Sequence, residues 1–340
     1  MIVTNSLTGG GAERAMNLVA NELTERGWTI SLVPINSSPP DQVIPVCEVF
    51  KLERKWKDGL YGTFVAMSKF NHLVRLWRPD VIVLNCDLPE LFGATLSGKH
   101  NFIVLEHTSK PWSNRTFFGR IVRRLLRIRK VTWAAVSQHL RIWPFGFKPQ
   151  VVFQNPINPI GKLESHTIGS KIKRLVFIGR LSSEKRPILA LEVSLDADLP
   201  IIIIGDGPKS RHLLDLSKQK SIQAIFRGRL DNPWLEVQEG DLLVVTSVFE
   251  GDGLVVIEAL QKGVPMLLAD IPDFRRFNFP AENYCQTRED FVERINTYRQ
   301  ELQQLVVSAG LSQVILEARS MASIGKTWED LLKSIGETQD

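Results

Sequence analysis

Apolar residues fall in short runs rich in β-branched side chains at 2–5, 29–35, 81–86, 102–107, 132–136 and 151–154. Between most of these runs the apolar positions recur at helical spacing. Across 12–26, for example, Met16, Val19, Ala20 and Leu23 share one face. The second half repeats the scheme, with strands predicted at 175–179, 201–205, 224–228, 242–246 and 265–270. Runs such as "IIII" and "LLVV" mark strands covered on both faces. This alternation predicts an α/β protein built from two doubly wound, Rossmann-like domains with parallel sheets, facing across a cleft. Between the two series, "NPINPIGKLESHTIGSKIK" has prolines, glycines and few large apolar residues, which places a linker near 156–172. The expected domains are therefore 1–158 and 159–315. The tail from Leu311 onward reads as helical with its partner left open by periodicity, and 316–340 is set apart as a segment able to pack back on the amino-terminal domain.

A length of 340 residues agrees with two cores. No apolar run reaches the roughly 18 residues of a membrane-spanning helix, and the first residues lack the basic start and long apolar stretch of a secretory signal. The expected location is the cytoplasm, peripheral on the cytoplasmic face of the membrane. Cys47, Cys86 and Cys285 are odd in number and widely spaced, a pattern of reduced thiols rather than bridges or a metal site. The net charge of +5 is compatible with nucleic acid, anionic lipid or phosphorylated substrates.

Ligands of such sheets sit beyond the carboxyl ends of the strands, so the strand-end loops carry the candidate chemistry. In "LTGGGAER", Gly9, Gly10 and Gly11 open the first helix, where amides and the helix dipole favour an anion. A tight strand-to-helix turn accounts for the same glycines. In "FIGRLSSEKRP", Arg180 and Lys185 flank a polar loop and are placed to converge on a pyrophosphate. A solvated basic loop is the competing reading. "FRGRL" adds Arg227 and Gly228 at another strand end, where a base can lie along the backbone. "FEGDGLVVIEAL" sets Glu250, Gly251, Asp252 and Gly253 before a helix that opens at Leu254 and stops at Gly263. The turn from Gly251 to Leu254 is expected to line a bound ligand, its free amides meeting phosphate or sugar oxygens. Glu258 is expected in a nearly all-apolar helix, where a ribose diol would satisfy a carboxylate that is otherwise expensive. The competing reading pairs Glu258 with an arginine and leaves Glu250 exposed.

In their order and spacing, "GGGAER", "GRLSSEKRP", "GDGP", "FRG" and the Glu250 to Glu258 pair resemble the family 4 retaining glycosyltransferases of the GT-B fold, over nearly the whole chain. That resemblance implies that Arg180 and Lys185 bind the donor pyrophosphate, Glu258 holds the ribose and Glu250 lies near the donor sugar. The Gly9, Gly10 and Gly11 loop matches the amino-domain turn facing the diphosphate and acceptor, and His107, ending "NFIVLEH", looks like a cleft histidine near the transferred sugar. Two departures stand out. Many relatives have an aromatic residue at the position of Asp252, and "DIPDFRRF" replaces the family's acidic segment, leaving open the roles of Asp273 and Arg275.

The implied reaction moves a hexose or N-acetylhexosamine from a nucleotide diphosphate sugar, UDP favoured by family prevalence, to a glycan or lipid-linked glycan acceptor in cell-surface polysaccharide synthesis, with retention. Arg180 and Lys185 would stabilise the leaving diphosphate, and neither cofactor nor metal is expected. The stretch "FFGRIVRRLLRIRK" carries Arg120, Arg123, Arg124 and Arg127 with no acid, while Ile121, Leu125 and Ile128 share a helical face. An anionic membrane surface is its expected partner, with Trp112, Phe117 and Phe118 as anchors. A solvated basic helix packed on the sheet is the competing reading. Nucleic acid is not expected, because no aromatic stacking surface interleaves the cations. The rival functions are a sugar-nucleotide epimerase or phosphorylase on the same fold, and a noncatalytic nucleotide or nucleic-acid binder.

Overall fold

A computed structural model describes residues 1–7, 10–37, 46–55, 59–108, 110–113, 115–157 and 171–337. Gly9 and most of the expected linker lie outside the described residues. The strands of the first half are β1 (Ile2–Thr4), β2 (Ser31–Pro34), β3 (Glu48–Val49), β4 (Val81–Asn85), β5 (Asn101–Glu106), β6 (Val131–Ala135) and β7 (Val151–Val152). Its helices are α1 (Gly11–Glu25), α2 (Gly59–Trp77), α3 (Asp87–Thr95) and α4 (Thr116–Arg127). The second half has β8 (Arg174–Ile178), β9 (Ile201–Ile204), β10 (Ala224–Gly228), β11 (Asp241–Val245), β12 (Met266–Ala269) and β13 (Tyr284–Cys285). Its helices are α5 (Pro187–Asp196), α6 (Ser210–Gln219), α7 (Leu254–Lys262), α8 (Pro272–Arg275), α9 (Arg288–Thr297) and α10 (Ala309–Glu317), and α11 (Met321–Glu337) follows.

Two compact units result, Met1–Asn158 with Ala318–Asp340, and Pro159–Glu317. Among the described residues the first holds a seven-stranded sheet in the order β3-β2-β1-β4-β5-β6-β7, every pair parallel. In the second, six parallel strands run β10-β9-β8-β11-β12-β13. The doubly wound α/β class expected from the sequence is the one that forms.

Each core follows from the sequence pattern. On α1 the stripe Met16, Val19, Ala20 and Leu23 is buried, and every residue of β9 is buried, as a central strand of a doubly covered parallel sheet requires. α11 completes the first unit. The Trp328 ring stacks on Phe153 with centroids 3.9 Å apart, and Glu329 accepts hydrogen bonds from Arg26 at 2.8 Å and from the Trp28 indole at 3.1 Å. In the second unit the strand-end loops abut closely. A β-carbon on Gly205 would stand 1.9 Å from the Gly179 carbonyl oxygen, so only glycine fits there. No described helix is long and apolar enough to cross a membrane.

Candidate active site

Strand order reverses in the second unit between β8 and β11, so the loops leaving these neighbours diverge and open a crevice at their carboxyl ends. Lys185 lies on the loop after β8 and Glu250 on the loop after β11, and the Lys185 ammonium donates to Glu250 Oε1. Ser247 Oγ donates to the same oxygen at 2.8 Å, and the Asp273 carboxylate accepts from the Glu250 backbone N–H at 3.0 Å. The two loops are also stitched together through backbone. Thr246 Oγ1 donates to the carbonyls of Lys185 and Arg186 at 2.8 and 2.9 Å, and Val248 N–H donates to the Glu184 carbonyl at 2.8 Å. Glu250 is 8% exposed, so the reading that left it on an exposed loop fails: its ion pair allows the carboxylate to be buried.

Glu258 sits half-buried on α7. Its Oε2 accepts the Trp234 indole N–H at 2.8 Å, so the carboxylate expected among apolar neighbours meets an aromatic donor. Trp234 is buried in a 3₁₀ turn, Pro233–Glu236, capped by the Asn232 side chain. α7 opens at Gly253, whose φ of 63° is left-handed, and stops at Gly263, whose φ of 64° is the same. The amides of Leu254 and its neighbour begin the helix, where no intrahelical acceptor exists for them. Arg180 and Gly228 are exposed, and exposed Arg227 donates to Glu236 at 3.0 Å. Arg275, left open by the sequence, pairs with Asp270 at 2.7 Å. The Glu184 carboxylate, beside Lys185, is opposed by burial, yet the Ser182 hydroxyl at 2.6 Å and nearby cations hold it below the usual range.

In the first unit, Gly10 and Gly11 lead from β1 into α1, and His107 follows β5 directly. Gly10 N–H donates to Glu13 Oε2 at 2.8 Å. The amide expected to meet a diphosphate therefore already carries the chain's own carboxylate. Of the cations assigned to a membrane surface, Arg120, Arg124 and Arg127 are exposed. Arg123 is not. It is 1% exposed, on the buried stripe of α4 with Val122 and Leu126, and donates to Glu90 Oε1 at 2.5 Å and Glu106 Oε2 at 2.6 Å. Its membrane role is corrected to an internal ion triad, because two buried carboxylates hold its guanidinium inside the unit. Trp112 is corrected likewise: it is buried, and its indole donates to Glu90 at 2.9 Å.

Glu90, Glu106 and Asp87 crowd around the Arg123 guanidinium. Burial first, with Glu90 and Asp87 nearby, pushes the Glu106 carboxyl up to about 7 against the pull of Arg123. Burial and Glu90 likewise raise Asp87 to about 6. A carboxyl raised in the fold gives stability that is present below its unfolded pKa and lost as pH climbs through the folded value. Stability should thus fall between about pH 4.5 and about 7. Glu106→Gln keeps an oxygen for Arg123 and cannot ionise. It is expected to remove on the order of 2 kcal/mol of that fall, with the share of Asp87 remaining, in urea unfolding at pH 5 and pH 8.

Sequence reasoning did not find Ser247, Trp234, Glu90 or Glu106, and it left Asp273 without a role. Among the described residues no group of three or more His, Cys, Asp or Glu is placed to hold a metal ion.

Residues 162–301 match the family described as Glycosyl transferases group 1. An uncharacterized glycosyltransferase of Haemophilus influenzae is 26% identical over 292 residues, covering 78% of this chain and 78% of that protein. A Campylobacter jejuni protein named as an alpha-1,4-N-acetyl-D-galactosaminyltransferase acting on a diNAcBac-PP-undecaprenol-linked glycan is 23% identical, over 75% of this chain and 74% of its own. Among solved structures, Anabaena HepE in complex with UDP and glucose superposes with a TM-score of 0.78 at 17% identity, over 98% of both chains. The fold is GT-B, and the match across the second unit together with these relatives supports the chain as a glycosyltransferase.

Proposed function

We propose that the protein is a retaining glycosyltransferase moving a hexose or N-acetylhexosamine from a UDP-sugar to a lipid-linked glycan at an anionic membrane surface. The observation that carries this reading is the meeting of Lys185 and Glu250 at the strand-order reversal of the second unit, with Glu258 further along α7. A nucleotide diphosphate sugar needs three things there: cations for the diphosphate, a carboxylate for the ribose diol and a polar group at the sugar. Lys185 and exposed Arg180 supply the first, Glu258 the second and Glu250 the third. Charge builds on the diphosphate as the glycosidic bond breaks, so Lys185, Arg180 and the first amides of α7 stabilise the transition state more than the ground state. The acceptor proton passes to a departing diphosphate oxygen on the same face. No metal is needed in this scheme.

The site is tested by titrating UDP calorimetrically and then running a donor panel with linkage analysis of the product. UDP binding with transfer that retains anomeric configuration supports the reading, whereas conversion of the sugar nucleotide to an epimeric sugar without an acceptor identifies an epimerase. Glu258→Ala is expected to weaken UDP binding about tenfold or more through loss of the ribose bonds. Unchanged affinity in that variant removes Glu258 from the site.

The acceptor class is inferred from α4. Its outward face combines Phe117, 77% exposed, and Ile128, 83% exposed, with exposed Phe118, Ile121 and Leu125. Arg120, Arg124 and Arg127 flank that stripe. Exposed apolar side chains set beside exposed cations suit the interface of an anionic bilayer. The C. jejuni relative's named substrate is carried on undecaprenol, which agrees. Replacing Arg120, Arg124 and Arg127 together by Gln should weaken binding to anionic vesicles roughly 100-fold, at about 1 kcal/mol per cation, while soluble-acceptor turnover stays unchanged. Equal sedimentation of both proteins with such vesicles refutes the membrane contact.

A further inference from the structure

The turn that carries Glu250 has little rigidity of its own. Gly251 and Gly253 flank Asp252, and Gly253 sits at a left-handed φ of 63°. Its shape is imposed by a neighbouring segment. Arg276 Nη2 donates both to the Asp252 carbonyl at 2.6 Å and to Asp252 Oδ1 at 2.9 Å, while the guanidinium lies 4.6 Å from the centre of the Phe277 ring. Three residues earlier, Asp273 accepts the Glu250 amide at 3.0 Å. Between them Phe274 packs under the turn, with Cε1 only 3.1 Å from where a Gly253 β-carbon would lie. The stretch from Asp273 to Arg276 therefore grips the turn at three points, through a hydrogen bond, a ring and an ion pair. From the other side, Lys185 and Ser247 hold the Glu250 carboxylate itself.

We propose that Arg276 and Asp252 form a positioning pair that fixes the Glu250–Gly253 turn, and so sets where the Glu250 carboxylate stands relative to the donor. The acid in "EGDG" and Arg276 of "DIPDFRRF", each inside a stretch that departs from the family pattern, are one device, whereas Arg275 pairs with Asp270. The pair acts through Glu250 rather than on the donor directly. This inference rests on the assignment of Glu250 and Lys185 to the donor site.

Its test has two independent readouts. Arg276→Met keeps the apolar stem and removes the donor, and Arg276→Lys restores one donor nitrogen. The first readout is amide hydrogen exchange across residues 248–254, which needs no activity. The clamp predicts exchange at least about tenfold faster in Arg276→Met and substantially recovered in Arg276→Lys. The second is steady-state transfer, where Arg276→Met should lower kcat about tenfold with donor KM within about threefold. Adding Asp252→Asn should cost nothing further, because the partners act as a unit. Exchange within about twofold of the unaltered chain, a kcat that does not fall, or fully additive losses in the double variant overturns the proposal. Should Arg276→Met not fold, Arg276→Lys compared with Arg276→Gln carries the same comparison. If the unaltered chain transfers no sugar, the donor-site assignment fails, and exchange alone decides whether the clamp exists.

Discussion

Lys185→Ala is expected to reduce kcat by about 10²–10³-fold, the cost of removing one preorganised donor from a developing anion. The loss should appear in kcat more than in donor KM, because the charge Lys185 meets is greater in the transition state than in the bound sugar nucleotide. The same substitution strips buried Glu250 of its cation, which is a separate effect. Glu250→Gln in the Lys185→Ala background separates the two. Removing the stranded charge should recover thermal stability without recovering turnover. A single variant with unaltered kcat at saturating donor would mean that Lys185 serves only the ion pair.

Arg123→Met should be the most destabilising change in the first unit, at about 3–5 kcal/mol, because it leaves Glu90 and Glu106 buried without the cation they share. Thermal unfolding is the measure, with a midpoint lowered by about 10 °C at pH 7. The penalty should grow above pH 7 and shrink below it, because Glu106, at about 7 even beside Arg123, is held as a carboxylate at higher pH only by that cation. Glu90→Gln and Glu106→Gln in the same background should restore most of the midpoint. Because Arg123 faces inward, vesicle binding by the folded variant should match that of the unaltered chain, unlike the outward-arginine variant.

The fold was legible wherever a strand is covered on both faces, as at Ile201 to Ile204, because a continuous apolar run needs no partner to be recognised. β3 and β13 escaped because each is two residues long with no β-branched apolar run to mark it, whereas β7, equally short, is marked by Val151 and Val152. Lys185 and Glu250 were each legible as polar residues on strand-end loops. Their partnership was not, since 65 positions separate them and only the adjacency of β8 and β11 joins them. Arg123 misled for a related reason. Its acids lie 33 and 17 residues away, so within its own helix it is one basic residue among several. The Arg276 bond to Asp252 spans 24 positions and was equally invisible, although both partners lie in stretches that stood out as unusual.

The amino-terminal unit takes its final helix from beyond the other unit, with Trp328 laid on Phe153 and Glu329 fastened to Arg26 and Trp28. On the ribosome this inverts the usual order of maturation. The continuous stretch Pro159–Glu317 emerges whole and is free to fold while the earlier-made half still lacks its closing piece. Nascent chains should accordingly protect the later-made sheet from protease before the first one.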